Sequence, residues 1–553
     1  MTKKSSPDLL IIIMLISGLL LNRVDLTAQS WEAMHPGGGG YVMGIDCDPN
    51  TPGKMFESSD MEGTNVSHDY GITWENTGRT QLHTFNFTNR AKPGNSDIVL
   101  SGTILGLEKS VDGGTTWTYI NDFFPNPEGD NDRGSVGSIA WDPVDPNYVY
   151  AAHGWGGRGS RLGKVTGSIK QKKSGSRKIG VSHDGGETWQ FISWNVVNGE
   201  KNCYAVKVNP VNGHVYLSTE AGIYESTDHG QNWTRINGPD DAADQTKGLS
   251  VSANGEYLYA TFRKTSGNSD DYRLYGMRLN EKVWYSVHGP GVTGRFYDPS
   301  IDPRDNEDNH HVLLAGLRNP VTGLWEGFIE WPESGAPALS WEQIFKESWS
   351  ANANNYTYDQ GWRPTSAKCS RHLYTPASWE RMIWTTDDEG IFVGDPEESK
   401  YSRWQPRYCE RVGSKNGKGL YATRGFESTW TWDVDANDQF VVQGQADNGV
   451  VQSWNNGESW QQYLPINNFS DCGATLIIKA ADPNILLIGG AINVYGGGGA
   501  GDPGKLFCRE LPDGEWKSGL DFPKIYSLAE DPFNEDRVYV GTAKGLYTLE
   551  DIS

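Results

Sequence analysis

The stretch SVDGGTTW, Ser110 to Trp117, decides how this chain is read. It returns as SHDGGETW (Ser182–Trp189), and more loosely as SHDYGITW (Ser67–Trp74), STDHGQNW (Ser226–Trp233) and SWNNGESW (Ser453–Trp460). The Ser hydroxyl and Asp carboxylate of such a unit hydrogen-bond the backbone of a tight turn. Its Gly takes a positive φ, and its Trp packs between neighbouring sheets. Five copies spread along one chain cannot converge on one substrate, so the unit is a turn the fold needs and not a catalytic motif.

Around each box lies a longer unit. CYAVKVNPVNGHVYLSTEAGIYESTDHGQNW (Cys203–Trp233) and IYSLAEDPFNEDRVYVGTAKGLYTLED (Ile525–Asp551) share one order. An alternating apolar strand is followed by a Pro/Asn/Gly turn, a Val- and Tyr-rich strand, a short turn ending in Gly, and a third strand. A box and a strand opened by Trp complete the unit. Four short strands per unit at regular spacing indicate repeated antiparallel blades. The innermost strand pair recurs near Gly40, Phe85, Gly137, Tyr204, Leu249, Asp298, Arg371, Trp430, Thr475 and Ile525, about every fifty residues. The expected fold is an all-β propeller of about ten four-stranded blades, in one ring or in two smaller ones. The segment opening at Ser30 (SWEAM) is expected to supply the outer strand that closes the last blade.

The first residues read as an address. Lys3 and Lys4 precede an apolar run from Leu9 to Leu21, too short to span a bilayer comfortably, and LTAQS follows with a small residue at Ala28. Residues 1–28 are expected to be a signal peptide and 29–553 the propeller region of an exported protein, periplasmic or extracellular, with no membrane span. A formal charge of −22 argues against nucleic acid as a partner. The six cysteines show no metal-type pairing, and neither a metal nor a cofactor is expected. Gly at 67 and Trp at 22 residues suit many tight turns and large packed side chains.

Chemistry is expected on the face opposite the boxes, where strands two and three turn and one blade leads to the next. The loop SSDMEGTN places Asp60 and Glu62 there; equivalent loops offer Glu220, Asp387, Asp388, Glu389 and Asp447, and inter-blade links offer Glu427 and Asp471. Acid pairs on one face suit acid/base hydrolysis of a glycosidic bond. Trp155, Trp349, Tyr356, Tyr358, Trp362 and Trp430 fall in predicted face loops and suit stacking on sugar rings. The segment His153–Gly180 carries Arg158, Arg161 and six more basic residues with no acid, which suits an anionic polysaccharide.

The first blade, GGGGYVMGIDCDPNTPGKMFESSDMEGTNVSHDYGITW (Gly37–Trp74), resembles the opening of glycoside hydrolase family 74, the xyloglucanase-type two-propeller endoglucanases. The resemblance rests on the glycine cluster, the V-x-G-I strand, an aspartate segment and a box. It implies that Asp60 is the general base of an inverting hydrolase. Its partner acid would lie in the later half, with Glu427 and Asp471 as candidates. Ser58-Ser59 stand here where the family has Arg-Thr, and Glu62 stands for the first Gly of its Gly-Gly pair. The family's two seven-bladed rings also need a longer chain. The blade count looks like the sortilin-type propeller, a binding module for protein or glycan. A lyase acting on an anionic glycan through a Tyr or His base, with His83, His153, His310, His311 and His372 available, is the third reading. The expected partner in each enzymatic case is a polysaccharide or oligosaccharide.

Overall fold

The computed structural model describes residue 34 and residues 42–550, except 121–134, 155–177, 194–202, 266–270, 290–295, 317–322, 346–370, 387–389, 401–402, 408, 426–430, 439, 446–448, 464, 467–468, 470, 480, 482 and 492–502. Among the described residues there are nine four-stranded sheets, one of three strands and one of two, every pairing antiparallel. The only helical turn among them is a short 3-10 segment, Gly78–Thr80. No helix among the described residues is long and apolar enough to cross a membrane.

Seven sheets form a ring. Their first strands are Val42–Cys47, Asn86–Lys92, Val136–Trp141, Cys203–Val208, Ala242–Val251, Phe296–Ile301 and His372–Tyr374, and each packs against the first strand of the next sheet. The seventh returns to the first, so these strands are the innermost and surround an axial channel. The ring therefore closes within residues 42–406, between sheet seven and sheet one. It does so without a shared sheet, since each blade takes its four strands from consecutive sequence. Of the Ser30–Met34 segment expected to complete the last blade, all but Met34 lies outside the described residues.

Beyond the ring, the hairpin Cys409–Lys415/Lys418–Thr423 lies against the outer edge of the sheet that begins at Thr431. The sheets beginning at Asp471 and Ile525 follow, first strand against first strand. The choice left open by the sequence thus falls on a seven-bladed ring followed by a second array. The two meet at the Trp of the first box. Its backbone N–H donates to Arg424 O (2.6 Å) and its indole to Arg407 O (2.7 Å).

The cores lie between blades, which explains why both faces of these strands are apolar. Phe56 and Val66 of blade one pack with Ala91, Val99 and Trp117 of blade two. All five repeated turns have one geometry: the Ser hydroxyl accepts from the backbone N–H four residues on at 2.8 Å. The fourth and fifth residues both take positive φ, as at Tyr70-Gly71 and Gly113-Gly114. The positive φ thus extends to the residue before the Gly, as at His229 and Asn456.

Candidate functional site

Blade one places Asp60 in the turn between its second strand, Met55–Ser59, and its third, Thr64–Ser67. This end of the sheet is opposite the repeated turn at Ser67–Trp74, and Asp60 is half-buried at its rim. The turn is held from within. Ser59 Oγ accepts from Met61 N (3.0 Å) and Glu62 N (3.1 Å), while Ser59 N donates to Gly63 O at 2.9 Å. It is held from the next blade as well: Ser59 N also donates to Asn86 Oδ1 (3.0 Å), and Asn86 Nδ2 donates to Thr64 Oγ1 at 2.8 Å. Gly63, at φ +83°, sits where a Cβ would meet Gln81 Oε1 at 2.5 Å. The turn that carries Asp60 is thus fixed by buried hydrogen bonds on two blades.

Directly below lies a second carboxylate. Glu57 is buried on the second strand, opposite Asn65 in register. Asn65 Nδ2 donates to Glu57 Oε2 at 2.7 Å and to Glu62 Oε2 at 3.1 Å. Burial raises the Glu57 carboxyl to about 8; the Asn65 hydrogen bond opposes this and the Asp60 charge adds to it. Farther along the same seam, burial raises Glu108 to about 7 against hydrogen bonds from His83 N, Gln81 and Leu82 N. Glu57 is therefore held mainly as a neutral acid at neutral pH below the half-buried Asp60, and Glu108 is divided between its neutral and charged forms.

Asp471 opens the first strand of its sheet, at the end opposite the turn between that sheet's third and fourth strands, Pro503–Glu510 and Lys517–Pro523. Its Oδ1 accepts from the Trp432 indole at 2.9 Å, and its Oδ2 pairs with Lys524 Nζ at 2.8 Å. Both oxygens are thus engaged as acceptors within the fold. Glu220 accepts from the Tyr204 hydroxyl at 2.7 Å. Glu427, Asp447, Trp155, Arg158, Arg161, Trp349, Tyr356, Tyr358, Trp362, Trp430 and the Asp387–Glu389 acids lie outside the described residues.

Two histidines offered as lyase bases are core groups. His310 is buried against Tyr257 and Tyr259, and its Nδ1 lies 2.8 Å from the Tyr259 hydroxyl. His372 is buried at the start of its strand. Burial lowers both to about 4, so they are neutral but closed off from a polymer. His311 pairs with Asp305 at 3.2 Å. Among the described residues no group of three His, Cys, Asp or Glu side chains could hold a metal ion, and the five described cysteines are free thiols.

Sequence reasoning missed Glu57 and Asn65. Alternation could not reveal them, because a strand between two blades buries both faces. The signal available was a glutamate inside an otherwise buried strand, MFESS, facing a position that the fold covers.

No protein-family model matches the chain, and no curated protein sequence does. Solved structures do. An ancestral GH74 enzyme superposes with a TM-score of 0.79 at 29% identity, over 95% of this chain and 69% of that one. The Niastella koreensis GH74 enzyme gives 0.56 at 16% identity, covering 95% and 79%, and the Xanthomonas campestris GH74 xyloglucanase gives 0.50 at 13%, covering 94% and 87%. The last two likenesses speak to fold. The chain is an all-β propeller protein of GH74-like architecture. The particular likeness is to enzymes of a glycoside hydrolase family, seen across almost the whole length of this chain.

Proposed function

We propose that the protein is an exported glycoside hydrolase that cleaves an extracellular polysaccharide of the xyloglucan type, with Asp60 as general base. The observation that carries this is the Asp60 turn: an accessible carboxylate, fixed from two blades, in a chain similar to a GH74 enzyme. In an inverting reaction Asp60 takes a proton from water while that water attacks the anomeric carbon. A protonated carboxyl, roughly 6.5–9.5 Å away across the sugar, gives its proton to the leaving oxygen. The second array supplies this acid. Asp471 is engaged by Trp432 and Lys524, so Glu427, ahead of the strand Thr431–Asn437, and Asp447, between Phe440–Gln445 and Gly449–Ser453, are the better candidates. Asp447 follows a second strand in sequence as Asp60 does in blade one, which favours it. The aromatic residues Trp155, Trp349, Tyr356, Trp362 and Trp430 would stack on sugar rings, and Arg158 and Arg161 would meet any acidic substituent.

The test incubates residues 29–553 with neutral and anionic polysaccharides beside Asp60→Asn, Glu427→Gln, Asp447→Asn and Asp471→Asn variants. Hydrolytic fragments from the parent are expected, reduced at least about a hundredfold for Asp60→Asn and for the variant lacking the acid. NMR of the first product is expected to show an inverted anomeric centre. Fragments lighter by one water would replace the reading with a lyase, and retention on a polymer without products would replace it with a binding module.

A further inference from the structure

The ring carries a second cluster of ionic groups, distinct from the Asp60 turn. Its innermost strands bring Asp46 from blade one, Arg90 from blade two, Lys207 from blade four, Asp298 from blade six and Arg371 from the start of blade seven to the axial channel. Two of the three cations are matched. Arg90 is paired with Asp46, whose Oδ2 also accepts from Thr88 Oγ1 (3.0 Å) and Asn89 N (2.9 Å). Arg371 NH1 lies 2.8 Å from Asp298 Oδ2, and its Nε donates to Met43 O at 2.7 Å. Lys207 is the odd cation: among the described residues its ammonium has no hydrogen bond or close ion pair, and Asp298 acts on it only from a distance. Nearby Lys247 adds a further positive charge, its ammonium 3.8 Å from the Tyr204 ring centroid. Buried His372 is close enough to sense Arg371 and Lys207. In a chain of net charge −22, an axial cluster with cations in excess is the reverse of the average surface.

We propose that this channel is a binding site for a small oxyanion, a carboxylate or a phosphate, held between Lys207 and Arg90. The protein has already removed much of the water that would compete. Arg90, Asp298 and Arg371 keep only 35%, 28% and 15% of their side-chain surface exposed. Burial, with the Arg90 charge, lowers Lys207 to about 8 against the pull of Asp298. Burial raises Asp298 to about 7 although Lys207, Lys247 and Arg90 oppose it. Asp298 also sits at φ +43°, on a register break between Tyr297 and Ser300, with its carboxylate against Gly248. Such a combination of desolvated charge and uncommon backbone costs stability, and the cost falls when a ligand supplies the missing anion. A bound oxyanion would accept from the Lys207 ammonium and from the Arg90 guanidinium face turned away from Asp46, as charge-assisted hydrogen bonds.

The experiment is thermal unfolding of residues 29–553 at pH 7 and constant ionic strength, set with chloride and titrated separately with phosphate, acetate and glucuronate. A saturable rise in Tm with at least one of them is expected, since a ligand that binds only the native state stabilises it. Saturation by phosphate alone, or by the carboxylates alone, would name the source. Lys207→Met is expected to raise the half-saturating concentration about tenfold or more, the effect of one lost charge-assisted contact. Exposed Lys544→Met is expected to leave it unchanged. If Lys207→Met does not fold, reductive 13C-methylation of the parent reads the same site. The dimethyl resonance absent from a Lys207→Arg sample must then move on adding the anion. No saturable rise, a Lys207→Met protein that responds like the parent, or an unmoved Lys207 resonance would each overturn the proposal.

Discussion

At the scale of single residues, the buried Glu57 is the most informative group near the candidate site. Its carboxyl is raised from 4.5 to about 8, so the folded protein binds a proton there that the unfolded chain has lost. Stability from this group is complete below the unfolded value and disappears as pH climbs from about 4.5 to 8. Glu57→Gln keeps a neutral partner for Asn65 and removes that titration. The stability of the variant relative to the parent should therefore increase from pH 5 to pH 8, by up to about 4 kcal/mol. Urea unfolding at a series of pH values reads the difference, and a difference that stays flat would show Glu57 already ionised at pH 5. Because the Asp60 charge is one cause of the raised value, Asp60→Asn should shift the same window downward. That coupling joins the proposed base to the seam beneath it, whatever sugar the enzyme takes.

At the scale of strands, the innermost position has its own grammar. The pairing slips by one residue near the start of strand one at Val42/Gly44, Asn86/Thr88, Cys203/Ala205, Thr246/Gly248, Cys472/Ala474 and Ile525/Ser527. Each slip is a bulge that increases local twist and bends the strand toward its neighbouring blade. Where the blades come nearest, only glycine fits: a Cβ on Gly44 would lie 2.6 Å from Phe87 O. Gly44→Ala should therefore cost about 1–3 kcal/mol by overpacking the seam between blades one and two, read as a lower denaturation midpoint with an unchanged m-value. The blades themselves were legible, because turn residues and alternation recur at a fixed spacing and five Ser-x-Asp/Asn-x-Gly-x-x-Trp units mark the ends of third strands. The bulges were not, since an extra residue leaves no compositional trace in a strand buried on both faces. The same burial concealed Glu57, and it concealed the axial ions because each stands alone in its strand. Asp46, Arg90, Lys207 and Asp298 become a cluster only when the ring closes.

At the scale of the whole molecule, closure itself is the feature that repeat counting could not deliver. Ten similar units fit one ring or two, and which one forms depends on whether the seventh inner strand meets the first. The structure shows why it does. Blade seven presents Tyr374, Ile383, Trp384 and Phe392 to a core shared with Val42, Ile45, Met55 and Trp74 of blade one. Gly71 of the first repeated turn lies so close to Trp384 that a Cβ would meet its Cη2 at 2.9 Å. Arg371 adds a polar clasp on Met43 O, and Arg304 ties blade six to blade seven through the carbonyls of Thr375, Pro376 and Trp379. Among the described residues no strand is exchanged across this seam, so ring closure there depends on side-chain packing and a few hydrogen bonds, not on a continuous ladder. Trp384, 1% exposed, is the largest contributor. Trp384→Ala should cost about 3–5 kcal/mol, and the loss should be localised. Hydrogen exchange is expected to quicken first in Val42–Cys47, His372–Tyr374 and Ile383–Thr386, while blades three to five keep their protection. Uniform acceleration across all seven blades would mean that the ring opens as one unit, with no weaker seam where its ends meet. Because Asp60 sits on blade one, a seam that opens locally also predicts that Trp384→Ala reduces hydrolysis at temperatures well below its unfolding midpoint.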